Sequence, residues 1–265
     1  MIEAFQLTTF QVILLGIVQG ATEFFPISST AHLLILQQFF GIDEPSLFFN
    51  TLIQFGSVIA IIVYFWKDLL QLVHQVLQKQ FKYVWMLLLG VIPVLAVGAL
   101  LRNWIEILHA HFIVLPLALI LVGIFIWIGE RVAKNHRTIE DLTKQQGLRI
   151  GLFQIFALVP GVSRSGITIL GGMFQGLKIQ DAARHSFLLG IPALGSAALY
   201  ELVFGLQSGT LAPGEIEMTF LGFLVAFVAS LLTIHLTLGI VTRYGFLPFV
   251  MYRIGLGIML LFWIL

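Results

Sequence analysis

Two short stretches carry most of the chemistry this chain could perform. Residues 23 to 33 read EFFPISSTAHL and residues 160 to 166 read PGVSRSG. The first sets the carboxylate of Glu23 beside the hydroxyls of Ser28, Ser29 and Thr30 and the imidazole of His32. The second sets Arg164 between Ser163 and Ser165, with Gly161, Gly166 and Thr168 close by. A guanidinium is a permanently charged planar fork of donors that matches phosphate oxygens. Flanking hydroxyls, glycines that let backbone N–H groups approach, and a helix restarting after Ser165 would together make an anion cradle. In the first stretch Ser29 is a candidate nucleophile, and His32 a base for it or a proton donor to a leaving oxygen. Gln19 and Glu23, four residues apart, share a helix face. There they could orient His32, take a proton or hold a divalent cation through oxygen.

Each group also has a plainer reading. A single hydroxyl in an apolar helix more often bonds back to the helix or across an interface. Glu23 and Arg164 could pair as a lock between two parts of the chain. His74, His109 and His111 lie near aqueous loops and read as solvated. The company of His32 is what sets it apart.

The elements that hold these stretches follow from composition. Hydrophobic residues make up 59% of the 265 residues and charged ones 10%, against about 25% charged in soluble domains. This defines an integral membrane protein. A net charge of +1 gives no footprint for nucleic acid, and the absence of cysteine excludes disulfide scaffolds and thiolate metal sites. The start lacks the charged, apolar and small-residue succession of a leader, so no removable signal peptide is expected.

A membrane-crossing helix needs about 20 mostly apolar residues. Such runs lie near Phe48 to Trp66, Val84 to Leu101, Phe112 to Ile128, Ser186 to Phe204, Phe220 to Val241 and Phe246 to Leu265. Two further stretches, Phe10 to Phe40 and Ile150 to Leu177, are interrupted at Pro26–Thr30 and Pro160–Gly166. These predict helix, loop, helix. Basic residues mark the inner loops: Lys67 to Tyr83 and Gly129 to Arg149 are rich in Lys and Arg, and Arg243 lies in the last tight turn. The loops with Asp43 and Glu44, and with Glu215 and Glu217, carry none and read as outer. The assignment threads through only if each interrupted stretch enters and returns on one side. The fold class expected is therefore an all-α membrane protein with about six transmembrane helices and two re-entrant hairpins from opposite faces.

The chain also echoes itself. Gly16 and Gln19 precede Pro26 and Ser28 as Gly151 and Gln154 precede Pro160 and Ser163, and Gly56-Ser57 is matched by Gly195-Ser196. An odd number of crossings per half inverts the second copy, and inverted repeats place their sites where broken helices meet. The organisation expected is one membrane domain, 1–265, with a first repeat at 1–128, an inner linker at 129–149 and a second repeat at 150–265. Non-helical backbone at membrane depth must line protein or a wet cavity, so both interruptions should face one cavity.

GIVQGATEFFPISSTAHL and LVPGVSRSGITILGGMFQG, in this order, resemble the two signature segments of the bacterial undecaprenyl-diphosphatase family, also called the bacitracin-resistance family. The likeness continues through FNTLIQFGSVIAIIVYFWKDL, SFLLGIPALGSAAL and FLPFVMYRIGLG. It implies an enzyme that hydrolyses undecaprenyl pyrophosphate to undecaprenyl phosphate and phosphate, recycling a C55 carrier for cell-wall synthesis and conferring bacitracin resistance. It further implies an inverted-repeat fold, a plasma-membrane location with the site facing the periplasm or outside, a divalent cation (Mg²⁺ or Ca²⁺) and a homodimer. The family's essential residues fall on Glu23, Ser29, His32 and Arg164, with Gln19 at a position that is Glu or Gln in relatives. Gln19, Ser28, Thr30, Ser163, Ser165, Gly166 and Thr168 would bind substrate, and Glu23 would touch the metal. Ala31 stands where Gly is common, and Gln19 cannot act as an anionic ligand. Ser29 and His32 both stay open as nucleophile, as does water activated by His32. The rival readings are a carrier that flips a phosphorylated lipid or exports an anion, and a structural subunit.

Overall fold

The structure, a computed structural model, describes residues 7–42, 46–134, 136–208 and 211–264. The outer loop with Asp43 and Glu44 lies outside these. In order the helices are α1 (Thr9–Thr22), α2 (Ser29–Phe40), α3 (Leu47–Tyr64), α4 (Trp66–Leu77), α5 (Lys82–Leu100), α6 (Arg102–Ala110), α7 (Val114–Val132), α8 (Lys144–Ile155), α9 (Arg164–Phe174), α10 (Ile179–Ser208), α11 (Glu215–Tyr244) and α12 (Leu247–Ile264). Among the described residues six helices, α3, α5, α7, α10, α11 and α12, are long and apolar enough to cross a membrane. They coincide with the six apolar runs. Backbone groups in hydrocarbon must bond within their own segment, which is why each run is helical.

The two interrupted stretches form α1–α2 and α8–α9. At 1.5 Å per residue the 14 residues of α1 and the 12 of α2 reach about 21 and 18 Å, short of the roughly 30 Å hydrocarbon core. Each pair closes at its base. The rings of Phe10 and Phe40 pack edge to face at 6.3 Å, and Gln146 Nε2 donates to the Gln175 carbonyl at 3.2 Å. The two ends of each pair lie together, which is compatible with a re-entrant hairpin.

Local conformation repeats between the halves. Thr8 and Gln11 form a capping box at the start of α1, and Thr143 and Gln146 form another at the start of α8. Ser28 (φ 72°) and Ser163 (φ 74°) hold the same unusual backbone while capping α2 and α9. Gly41 and Gly176 end the hairpins at positive φ. Every pair is equally far apart in the chain, which is compatible with an inverted duplication.

The ends of the helices agree on sides. Ser46, just before α3, donates to the Glu215 carboxylate at the start of α11. Arg184 near the start of α10 pairs with Asp68 just past the end of α3, and Glu130 at the end of α7 accepts the N–H of Phe246 beside α12 at 2.9 Å. The basic loops therefore share one end of the molecule. At that end sequence and structure differ, for Lys67 to Tyr83, expected as a loop, is mostly the helix α4. Its apolar residues Trp66, Leu70, Val73 and Leu77 recur at helical spacing and are all exposed, while Asp68, Gln71 and Gln75 line a pocket on another side of the helix. Such a helix lies in the plane of a membrane interface rather than across it.

Small residues let the helices touch backbone to backbone, the device of membrane packing. A Cβ on Gly151 of α8 would sit 2.6 Å from the Gly90 carbonyl of α5, and one on Gly20 of α1 would sit 2.4 Å from the Ala226 carbonyl of α11. Gly151→Ala is expected to lower stability by about 1–3 kcal/mol through this overlap, read as a lower thermal midpoint in detergent. The largest buried cluster fills the space between the halves, with Phe24, Ile61, Phe65, Ile169 and Phe187 among its members.

Candidate active site

The two bends meet. In the first, α1 ends at Thr22 and α2 begins at Ser29, and the side chains between them diverge. Phe24 packs edge to face on Phe187 at 5.1 Å, Phe25 lies on Phe249 at 5.3 Å, and Glu23 turns the other way, onto the cavity. In the second, a short 3-10 turn at Phe156–Leu158 follows α8, and Gly161 (φ 94°) and Ser163 lead into α9. Ser165 Oγ donates to the Phe25 carbonyl at 3.3 Å, joining the two bends directly.

At the junction Glu23 collects three partners. Its Oε1 accepts Arg164 Nη2 at 2.9 Å. Its Oε2 accepts Ser29 Oγ at 2.7 Å and Gln19 Nε2 at 3.0 Å. Arg164 Nη1 also donates to the Ser186 carbonyl at 3.1 Å. Carboxylate and guanidinium are 3% and 10% exposed, a burial at which each charge depends on the other. They line a cleft of about 370 Å³ together with Ser28, Ser29, Thr30, Gln54, Gln154, Gly161 and Ser163. The facing wall is apolar: Val94, Leu95, Gly98 and Ala99 of α5, with Ala193, Leu194 and Ala197 of α10. Both helices carry an interior proline just before these residues, Pro93 and Pro192, where the backbone ladder is interrupted.

The other expected site residues are distributed differently. α9 restarts at Arg164 rather than after Ser165, and the Gly166 N–H is taken by Ser163 Oγ at 3.2 Å, so it is not free for an anion. Thr168 is fully buried, donating to the Arg164 carbonyl at 2.7 Å and touching Ser186 Oγ at 2.6 Å. Ser165 is likewise buried. These two brace Arg164 from behind. Ala31, where Gly is common, donates its N–H to Ser28 Oγ at 3.3 Å, so the turn closes with alanine.

His32 stands outside the cavity lining. Its Nδ1 lies 2.7 Å from the Ser28 carbonyl and its Nε2 2.7 Å from the Tyr252 hydroxyl, with the two rings stacked at 5.6 Å. A carbonyl can only accept, so Nδ1 carries the proton and Nε2 accepts from Tyr252. His32 is thus oriented by Ser28 and Tyr252, not by Glu23 or Gln19. Tyr252 and its neighbour Arg253 were missed from the sequence, although a lone arginine in the middle of an apolar run is itself a signal.

No group of three or more His, Cys, Asp or Glu side chains is assembled for a metal among the described residues. Among the described residues Glu23 is the one carboxylate lining the cleft, and both its oxygens are engaged. The donor set suits a cation carried on substrate oxygens and touched by Glu23, rather than one caged by protein.

A membrane protein with two interrupted helix pairs, joined by a buried acid, hydroxyl and guanidinium, is built to handle an anionic group at depth. Comparison with known proteins narrows this class. The family described as bacitracin resistance protein BacA matches residues 12–259. A protein of Alteromonas mediterranea named undecaprenyl-diphosphatase is 38% identical over 97% of this chain and 99% of its own length. Proteins of the same name from Myxococcus xanthus (38%, covering 95% of this chain and 87% of that protein) and Caldicellulosiruptor bescii (37%, 96% and 97%) are similar. The chain belongs to the bacitracin resistance protein BacA family.

Proposed function

We propose that this protein hydrolyses undecaprenyl diphosphate to undecaprenyl phosphate and inorganic phosphate in the cleft between the two bends. The observation that carries this is the Ser29–Glu23–Arg164 cluster, a hydroxyl, its base and an anion-binding fork joined by hydrogen bonds of 2.7 and 2.9 Å. The cleft suits an amphipathic substrate, with a polar wall for the diphosphate and an apolar wall on α5 and α10 for the start of the prenyl chain. The names of the relatives support the same substrate.

In this reading the incoming diphosphate takes Arg164 from Glu23. The carboxylate, released from its cation, is left to accept the proton of the hydroxyl it already contacts at 2.7 Å. Ser29 Oγ loses its proton to Glu23 and bonds to the terminal phosphorus, while the bond to the bridging oxygen breaks and undecaprenyl phosphate leaves with the electron pair. Glu23 passes that proton on to the departing undecaprenyl phosphate. Water then attacks the phosphoserine and gives a proton to Glu23, and Glu23 returns it to Ser29 Oγ as the P–Oγ bond breaks and inorganic phosphate departs. Arg164 and the neighbouring hydroxyls stabilise charge on the equatorial oxygens, which is most of what phosphoryl transfer asks of a protein. A divalent cation on the diphosphate, contacted by Glu23, would spread that charge further. His32, held by Tyr252 outside the cavity lining, is the alternative nucleophile or water-activating base.

The same proposal covers location and assembly. The cleft lining reaches Gly98 and Ala99 near the end of α5 opposite the basic loops, which supports a site facing outward from a plasma membrane. A homodimer, which the family resemblance implies, is part of the same proposal. The test is release of inorganic phosphate from undecaprenyl diphosphate by purified protein in detergent, where no sides exist. Steady release is expected, whereas a pure lipid carrier would release none.

A further inference from the structure

α12 crosses the apolar interior with a single charged residue, Arg253, which is fully buried. Among the described residues it is bonded to no carboxylate. Its fork is filled by backbone carbonyls instead. Nη1 donates to the Pro26 carbonyl at 3.0 Å and Nη2 to the Gly161 carbonyl at 2.8 Å. Longer contacts of 3.5 Å run from Nη2 to Ala118 and from Nε to Leu119 on α7. Pro26 belongs to the first bend and Gly161 to the second, and each carbonyl stands two residues before a positive-φ serine, Ser28 or Ser163. One side chain thus grips the same point of both bends.

The site needs such a grip. Among the described residues the polar ties between the tips are the Arg164–Glu23 pair and the Ser165–Phe25 hydrogen bond, and an anionic substrate must compete with Glu23 for Arg164. While that pair opens, the bends stay in register only through contacts the substrate does not touch. Arg253 is not among the residues lining the cleft. A guanidinium at this depth costs several kcal/mol unless its donors are satisfied, and a planar fork is the side chain able to reach two diverging carbonyls at once.

We infer that Arg253 is a positioning residue: it holds the two bends at a fixed separation, so that Ser29 and Glu23 from one and Arg164 from the other act on the same phosphoryl group. The inference rests on the phosphatase reading above.

The experiment compares phosphate release from undecaprenyl diphosphate by the full chain in detergent, unsubstituted, as Arg253→Lys and as Arg253→Gln. Lysine keeps the charge and most of the volume but offers one point of contact, so the folded variant should lose its kcat by about 100-fold, as a misplacement of about 1 Å does. KM should change by less than about threefold, because the groups that bind the ground state are untouched. Gln is expected to match Lys, since the fork and not the charge is what acts. A folded Lys variant with kcat near that of the unsubstituted protein would overturn the inference alone. A Lys variant that no longer folds would make Arg253 a stability residue and overturn the positioning role. Absence of phosphate release from the unsubstituted chain would overturn the phosphatase reading and this inference together.

Discussion

Arg164→Lys is expected to slow phosphate release by about 100- to 1,000-fold, the loss typical of removing one preorganised charge-stabilising donor. The unsubstituted side chain divides its fork between the Ser186 carbonyl at 3.1 Å and Glu23 at 2.9 Å. Its plane is set from behind, where Thr168 Oγ1 bonds to the Arg164 carbonyl and meets Ser186 Oγ. An ammonium can satisfy Ser186 or the anion, but it cannot present two parallel donors to a phosphate. Positive charge survives, so substrate should still collect in the cleft and the damage should fall mainly on kcat. Initial rates at saturating substrate measure it. Near-normal turnover by the folded variant would remove Arg164 from the site.

Glu23→Gln should be comparably severe, about 100- to 10,000-fold in kcat, the range over which general-base removal acts. Glutamine keeps the shape and can still accept from Arg164, but it cannot take the Ser29 proton. The variant also leaves a buried guanidinium without its counter-charge, a loss of up to about 3–5 kcal/mol in stability, so the thermal midpoint should fall as well. Rapid quench with terminal-phosphate-labelled substrate gives the companion result. Label is expected on Ser29 in the unsubstituted protein and none in Glu23→Gln. Label on His32 would transfer the nucleophile's role to that residue.

The parts of the fold legible from sequence were those written in long apolar runs. All six spans were visible because hydrocarbon leaves a helix no alternative to about 20 apolar residues. Both bends were visible because Pro, Gly and hydroxyls interrupt such runs for few other reasons. α4 was not, since Lys67, Asp68 and the later polar residues mask an apolar stripe that only helical spacing reveals. The restart of α9 was misplaced by a residue or two because Ser163, at positive φ, is its cap, and cap geometry is not encoded in residue type alone. That shift consumes the Gly166 N–H and turns Thr168 inward.

Site chemistry was legible as a list of groups and less so as a set of pairs. Glu23 and Arg164 were seen as possible partners across a cavity, and they are bonded. His32 was assigned to Ser29 by nearness in sequence, yet a helical carbonyl four residues back and a tyrosine on the last helix hold it. Tyr252 and Arg253 act on residues far away in the chain, and no local pattern reports such contacts. Gln154, noted only as an echo of Gln19, donates to the Gly90 carbonyl at 3.0 Å and lines the cleft.

The most direct test of a single site built from both halves is a double-substitution cycle on phosphate release, using Glu23→Gln, Arg164→Lys and the two combined. Groups that act on one phosphoryl transfer are not additive. The combined variant is therefore expected to be about as slow as the slower single one. Losses that multiply, each as large in the presence of the other change as in its absence, would mean that the two bends work apart.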